Sequence, residues 1–318
     1  MKKLDEHVRR LAGADEAERI YAAEDIGFAN RAEGAEPLFA RLPLETSRAV
    51  REAIFLALQN IDDDCVTEGA LGLLASEDSF LRNQAVELLR QRGPGAIPFL
   101  RRAFSRAGNE GRKFLIDVLA GVDGPGSGEL YSLALADSDI NVVITAVEIL
   151  GNRVKTEFRE RIEALAATGD PMLGGACLET LARIGNAHSL EVWRSSAGSG
   201  GPVADFLLPS YLRLLGAHGG EGAIAEAAAM LESRGTHLHA SILDAIAAVR
   251  QRYPAAPLPE FLTEPLERIV RNSASPHLRR QALRLLSGLV GHDGVAAFLE
   301  QYQDMDMDSV ALGEHAGV

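Results

Sequence analysis

The chain has 318 residues, of which 47% are hydrophobic and 5% aromatic, and its formal net charge is −13. This length and hydrophobic content are sufficient to bury a core, which excludes an intrinsically disordered chain. The acidic balance disfavours a general binder of nucleic acids or anionic membranes, because the chain as a whole repels phosphate groups.

The first predicted element is a capping helix within residues 1–13. Leu4, Val8 and Leu11 recur there at helical spacing and form one apolar face. No apolar segment follows the N-terminal lysines, so the pattern does not predict a signal peptide. No run approaches 18 apolar residues, so we expect no membrane span.

From residue 18 to residue 302 one helical pattern recurs. The segment LRNQAVELL supplies the template: an apolar residue, an arginine, two variable residues, a small apolar residue and, four residues later, a leucine. The last two positions share a helix face. The equivalent pairs are Ala22/Ile26, Ile54/Leu58, Ala85/Leu89, Leu115/Leu119, Ala146/Leu150, Cys177/Leu181, Tyr211/Leu215, Ile242/Ile246 and Ala282/Leu286. Their first members are 32, 31, 30, 31, 31, 34, 31 and 40 residues apart.

Each template helix is followed by a short loop and a second apolar-periodic segment, as in GAIPFLRRAF from Gly95. Glycine suits the end of one helix, and Pro98 suits the first turn of the next. A helix pair has an apolar face that it cannot cover alone, so successive pairs must stack. We therefore predict an all-α solenoid of about nine helix pairs.

Two segments depart from the regular spacing. A Gly/Ser-rich stretch predicts a loose connection over 195–205, and four prolines predict an extended loop over 253–265. Residues 304–318 are acidic and lack periodicity, so we expect a disordered tail there. The rest of the chain, 1–303, is predicted to be a single array.

The template resembles HEAT repeats, specifically the short class found in phycobilisome lyases. ERIYAAEDIG, AVREAIFLAL and LRNQAVELL are similar to the apolar-Arg-x-x-Ala-x-x-x-Leu helix of that class. The resemblance extends from about Arg19 to Tyr302 and implies an α-solenoid. It implies little about function, because the matching residues are those that pack.

The sequence predicts no catalytic, cofactor-binding or metal-binding residues. Deoxyhypusine hydroxylase, an enzyme built of such repeats, holds iron with paired His-Glu steps, and this chain contains no His-Glu pair. His237 and His239 would point apart on a helix. There is no P-loop and no GxSxG motif. An acidic position recurs about 200° from the packed face and predicts a solvated ladder. Its members are Glu24, Glu87, Asp117, Glu148, Glu179 and Asp244.

Cys65 and Cys177 lie outside any CxxC motif, so they indicate no disulfide framework and favour a reducing, cytoplasmic location. Three aspartates precede Cys65 at a predicted helix start and would raise its pKa. Cys177 occupies a small packing position. We therefore predict that both thiols are unreactive core residues.

The charge distribution suggests a candidate binding surface. Between residues 82 and 113 there are eight basic residues and two acids, whereas 114–152 contains six acids and no Lys or Arg. One interpretation is ion pairing between repeats on a solvated surface. The other is a docking patch on a second helix, which in HEAT-type solenoids lines the concave face. The candidate partner-binding residues are Arg101, Arg102, Arg106, Arg112 and Lys113.

The template arginine is missing from the fifth to seventh repeats. Its position and the next hold apolar residues or glycine: Val143, Ile144, Gly174, Gly175, Leu208 and Pro209. If exposed, these positions would form an apolar strip, which soluble monomers avoid. Either neighbouring loops cover them, or Val143, Ile144 and Leu208 form a contact surface for self-association or a second partner.

We predict a non-enzymatic scaffold or adaptor that binds a protein partner on the concave face. The prediction includes no cofactor, membrane or nucleic acid. One alternative, carried by the repeat class alone, is a phycobilin lyase subunit or a related chromophore-handling protein. A further alternative is a nucleic-acid binder similar to the HEAT-like DNA glycosylases, which the net charge of −13 disfavours.

Overall fold

A computed structural model describes residues 2–122, 124–197 and 203–300. In these residues the regular structure is helical, with no strand, which confirms the all-α prediction. The α-helices are α1 Lys2–Leu11, α2 Glu16–Ala29, α3 Ala35–Arg41, α4 Arg48–Asn60, α5 Asp64–Leu73, α6 Ser79–Gln91, α7 Ile97–Phe104, α8 Asn109–Gly121, α9 Ser127–Ala134, α10 Ile140–Asn152, α11 Arg159–Ala166, α12 Pro171–Ile184, α13 Ala187–Ala197, α14 Leu208–His218, α15 Ala223–Ser233, α16 His239–Arg252, α17 Thr263–Asn272 and α18 Pro276–Glu300.

The helices form pairs in the predicted order. From α2 to α17 the even-numbered helices carry the template, and each odd-numbered helix is its partner. Helix α18 contains the ninth pair, because Gly291 interrupts it with φ 74° and ψ 174°. This left-handed conformation favours glycine, which lacks a Cβ. The nine predicted pairs are therefore present.

The predicted packing face is confirmed at every repeat. None of the 18 template side chains, from Ala22 to Leu286, is more than 3% exposed. Because a leucine or isoleucine stabilises the fold when it leaves water, this periodic burial is the main driving force for stacking.

The chain divides into two compact units, residues 1–149 and 150–318. In the first unit the template helices α2, α4, α6 and α8 pack in sequence, and so do the second helices α3, α5 and α7. In the second unit α12, α14, α16 and α18 pack in sequence. Each unit is thus a stack of helix pairs, and the single array over 1–303 stays a prediction.

Short polar side chains determine where many of these helices begin. Asp15, Ser47, Asp63, Asp78 and Asp170 each precede a helix and accept a hydrogen bond from an amide of its first turn. These amides have no partner within the helix, so each cap stabilises its helix by about 1 kcal/mol.

The template arginine ties its helix to the preceding loop. In five repeats the guanidinium donates to a backbone carbonyl five or six residues earlier: Arg19, Arg51, Arg82, Arg112 and Arg279. Three of these arginines also donate to a carboxylate 25 to 27 residues later in the chain. We call this arrangement the arginine tie, and it links consecutive repeats.

Of the two interpretations of the apolar positions, the contact surface is wrong for Val143 and Leu208, which are buried, whereas Ile144 is half-buried. At Val143 and Leu208 an apolar side chain stands in the position that the arginine stem occupies in other repeats. Gly174 is also buried, and a Cβ there would lie 3.6 Å from the ring of Trp193. The loop near Gly198, which was expected to cover the strip, lies outside the described residues.

The variant Val143→Arg tests whether this buried position can accept the template arginine. Position 143 is equivalent to Arg51, so the new guanidinium can reach the carbonyls of the loop before α10 while its stem packs inside. We expect the free energy of unfolding to change by less than about 1 kcal/mol, as measured by urea denaturation.

The reciprocal variant Arg51→Val is the matched control for position 143. It loses the 2.7 Å bonds to the Glu45 carbonyl and to Asp78, and it should cost about 1–2 kcal/mol. Unfolding of the first unit by Val143→Arg would show that position 143 is closed to a long polar side chain.

Helix α18 is a candidate membrane span by its length and by its mean hydropathy, which is 1.2 over 18 residues. The sequence pattern did not predict this candidate. The break at Gly291 divides it into residues 276–290 and 292–300. Each piece is shorter than the roughly 20 residues that cross a bilayer. Helix α18 instead packs against α16 and α17.

The two irregular segments are only partly described. In the proline-rich loop, residues 253–259 are non-helical, but α17 begins at Thr263, inside the predicted range of 253–265. Helix α13 extends to Ala197, inside the predicted loose connection of 195–205, of which 198–202 lie outside the described residues. The predicted tail, 304–318, also lies outside them.

Candidate partner-binding surface

Helix α7 presents the predicted arginines on a surface of the first unit. Its apolar side chains Ile97, Leu100 and Phe104 are buried, and Pro98 lies in its first turn as predicted. Arg101 and Arg102 are exposed in the last turn, and Arg106 is exposed just beyond it. We call these three residues the α7 arginines.

Carboxylates on the neighbouring second helices flank the α7 arginines. Arg101 Nη1 lies 2.5 Å from Glu129 Oε2 on α9, and Arg102 Nη2 lies 3.7 Å from Glu68 Oε1 on α5. The Arg102 guanidinium also lies 4.6 Å from the centre of the Phe99 ring. The second helices α5, α7 and α9 therefore carry an acid, a base and an acid in turn.

Arg106 forms no ion pair with any other described residue of the chain. The surface contains three arginines and two carboxylates, so the positive charge of Arg106 is not balanced by an ion pair. The ion pairs of Arg101 and Arg102 are more than half exposed, and exposed pairs of this kind contribute about 0–1 kcal/mol to stability. A partner can therefore replace Glu68 and Glu129 at little cost to the fold.

Arg112, in contrast, does not belong to this surface. Its Nε and Nη2 donate to the two carboxylate oxygens of Asp137 at 2.6 and 2.8 Å, and Nη1 donates to the Ala107 carbonyl. The hydrogen bonds to Asp137 raise the pKa of Arg112. Both side chains are largely buried, so the assignment of Arg112 to partner binding is corrected to an arginine tie.

The other basic residues of the 82–113 segment, like Arg112, form contacts within the chain. Lys113 lies on α8, half-buried, with its Nζ 3.9 Å from Glu110 Oε2. Arg82, Arg90 and Arg92 each donate to a backbone carbonyl. Of the eight basic residues in this segment, the structure therefore assigns only the three α7 arginines to the candidate surface.

The acidic ladder is solvated as predicted. Five of its members are exposed, and Glu179 is half-buried beside Arg213. In residues 2–122, 124–197 and 203–300, no three His, Cys, Asp or Glu side chains converge on a point where they could hold a metal ion. We therefore assign no metal chemistry to the ladder.

Both thiols have raised pKa values, and the shift of Cys65 was predicted from the sequence. Burial, followed by the neighbouring Asp63, raises the pKa of Cys65 to about 11. Burial alone raises the pKa of Cys177 to about 12. Cys65 is only half-buried, so it is not the core residue that the sequence predicted, but its thiolate is still disfavoured near neutral pH.

Sequence reasoning missed the buried carboxylate of Glu45. This side chain is 1% exposed and accepts bonds from Arg19, Arg41 and the amides of Thr46 and Ser47. Burial alone would raise the pKa of Glu45, but these bonds outweigh it and hold the pKa at about 2. A search for acids about 26 residues after each template arginine could have found it.

A second polar cluster, also missed, lies in the second unit. The Tyr211 hydroxyl donates to Glu226, and Arg194 binds both Tyr211 and Glu226. Burial, followed by the bond to Glu226, raises the pKa of Tyr211 to about 12. Tyr211 occupies the small template position of its repeat, and its length carries the hydroxyl to the second helices α13 and α15.

No protein-family model matches the chain, and no curated protein matches it. Its fold is similar to two crystal structures of importin beta, one in a polyethylene glycol condition and one in an ammonium sulfate condition. The first has a TM-score of 0.57 and 11% identity over 94% of this chain and 50% of the other. The second has a TM-score of 0.54 and 13% identity over 95% and 49%.

The chain thus spans about half the length of the importin beta chains that it matches. At these identities the similarity concerns the fold alone. Together with the stacked helix pairs, it identifies the fold as an all-α solenoid of HEAT-like repeats.

Proposed function

We propose that this protein is a non-enzymatic scaffold that binds a protein partner through the α7 arginines. The proposal depends on one observation: three exposed guanidinium groups lie on α7 and just beyond its end, and two of them form exposed ion pairs with Glu129 and Glu68. Stacked second helices form the extended surfaces that repeat proteins use for binding. Arginine is also enriched among the residues that dominate protein interfaces.

The chemistry of this surface favours an acidic segment on the partner. A carboxylate-rich segment would pair with Arg106 and replace Glu68 and Glu129 at Arg102 and Arg101. Complementary charges of this kind accelerate association and make the affinity dependent on salt. We further propose that the protein acts in the cytoplasm, where both of its thiols would stay reduced.

Simultaneous replacement of Arg101, Arg102 and Arg106 by Ser should weaken partner capture by about tenfold or more at low salt. The variant should keep its melting temperature within a few degrees, because exposed charges contribute little to folding. The measurement is quantitative capture of proteins from the native host at several salt concentrations, with the bound proteins identified by mass spectrometry.

The matched control replaces three exposed arginines of the same unit, Arg9, Arg31 and Arg48, by Ser and removes the same total charge. A protein that wild type and control capture equally, and that the α7 variant loses, is the partner that we propose. Equal capture by all three proteins at every salt concentration would contradict the proposal.

The same material separates the other classes of function. A chromophore-handling protein would change the absorbance spectrum of an added bilin, and a nucleic-acid binder would be retained on heparin at moderate salt. Either result would replace the scaffold proposal.

A further inference from the structure

The second unit contains a cavity of about 460 Å³, whereas the α7 arginines belong to the first unit. It is bordered by the end of α15, the start of α16, helix α17 and the start of α18. This volume is within the range of small-molecule sites, roughly 300–1,000 Å³.

The cavity lies at the irregular eighth repeat. The 40-residue step and its proline-rich loop precede α17, which supplies much of the cavity wall. The regular second helices α3, α5 and α7 pack directly in sequence, whereas the cavity lies between α15 and α17. The insertion that breaks the repeat spacing therefore coincides with the opening.

The cavity is lined by both apolar and polar residues. Leu231, Ile269 and Leu278 are among the apolar ones, and His239, Arg268 and Asn272 are among the polar ones. A few polar groups that converge over an apolar wall are typical of small-molecule sites.

One lining residue, Arg268, carries a positive charge. Burial lowers the pKa of His239, the hydrogen bond from its ring to the Leu231 carbonyl opposes this, and the charges of Arg268 and His237 lower it further. Two basic groups thus lie close enough to His239 to disfavour a third cation. The nearby acid is Glu264, whose Oε1 lies 3.2 Å from Arg268 Nη2 in a largely exposed pair.

We propose that this cavity binds a small organic anion. Its phosphate or carboxylate group would lie against Arg268, His239 and Asn272, and its apolar body would lie against Leu231, Ile269 and Leu278. Arg268 would exchange its exposed bond to Glu264 for one to the ligand, and because both acceptors are charged the exchange keeps a charge-assisted hydrogen bond.

The ligand also affects His239. Because one ring nitrogen bonds the Leu231 carbonyl, the other lacks a proton in the neutral ring and can donate to an anion only after protonation. The bound anion should therefore raise the pKa of His239 against the opposing charges of Arg268 and His237. Glu264, once released from Arg268, would favour the same protonation.

The test uses the full chain with phenyl phosphate and inorganic phosphate as probes, by titration calorimetry and by nuclear magnetic resonance of the histidine rings. We expect saturable one-site binding, tighter for phenyl phosphate, and an upward shift of the His239 pKa. Arg268→Gln should weaken binding by about fivefold or more, because it removes a charge-assisted bond. Glu264→Gln should strengthen binding, because it removes a competitor for Arg268.

The matched control is Arg284→Gln, an exposed arginine on α18 that is not part of the cavity wall. It should leave the affinity within about twofold. The absence of saturable binding, or equal weakening by Arg268→Gln and Arg284→Gln, would overturn the proposal. Neither result bears on the α7 arginines, which lie in the other unit.

Discussion

Glu45→Gln is expected to destabilise the first unit by about 3 kcal/mol near neutral pH. The side chain is buried and is the shared acceptor of Arg19 and Arg41, which are themselves 10% and 20% exposed. Removal of one partner from a buried pair typically costs 3–5 kcal/mol, because it leaves charges without compensation. Urea denaturation followed by circular dichroism measures the loss.

The same variant predicts a specific dependence on pH. Because the folded pKa of Glu45 is about 2, below its ordinary value of 4.5, the ionised carboxylate stabilises the folded state above pH 4.5. That contribution, about 3 kcal/mol for a shift of this size, is lost as the pH falls toward 2. The stability difference between wild type and Glu45→Gln should therefore shrink between pH 5 and pH 2.

The control for this result is Glu52→Gln, which breaks the exposed pair with Arg48. It should change stability by less than about 1 kcal/mol at any pH. A constant difference between wild type and Glu45→Gln across the acid range would show that folding does not change the pKa of Glu45, and would contradict the prediction.

Leu89→Ala should cost about 2–5 kcal/mol, because it removes a fully buried leucine and leaves a cavity. Leu89 lies on α6, which packs against α4 and α8. In a solenoid each repeat contacts only its neighbours, so hydrogen exchange should accelerate most in α4, α6 and α8.

The matched control is Leu56→Ala on the neighbouring α4, where the side chain is 61% exposed. It should cost less than about 0.5 kcal/mol. If Leu89→Ala increased exchange equally throughout the first unit, the unit would have one shared core instead of stacked interfaces.

The sequence predicted the features that depend on local spacing. The burial of Ala85 and Leu89, the position of Pro98 in a first turn and the raised pKa of Cys65 each follow from residues within about one turn of one another. Such patterns can be predicted from the sequence because helix geometry determines which residues share a face.

Contacts between different repeats could not be predicted from the sequence. Arg101 and Arg112 look alike in sequence, yet one lies exposed beside Glu129 and the other is buried against Asp137. The difference depends on which carboxylate lies across the helix interface, and helical periodicity does not specify that register. The burial of Val143 was missed for the same reason, because exposure there depends on how adjacent helices pack.

The arginine ties also bear on how the chain folds during synthesis. In the described residues, the three arginine ties that end on a carboxylate join residues 25 to 27 positions apart. Each of these three ties joins consecutive repeats, which favours a low contact order and rapid folding. Each repeat can form its contacts with the next repeat as soon as that repeat leaves the ribosome. This shortens the time during which apolar helix faces are exposed and able to aggregate.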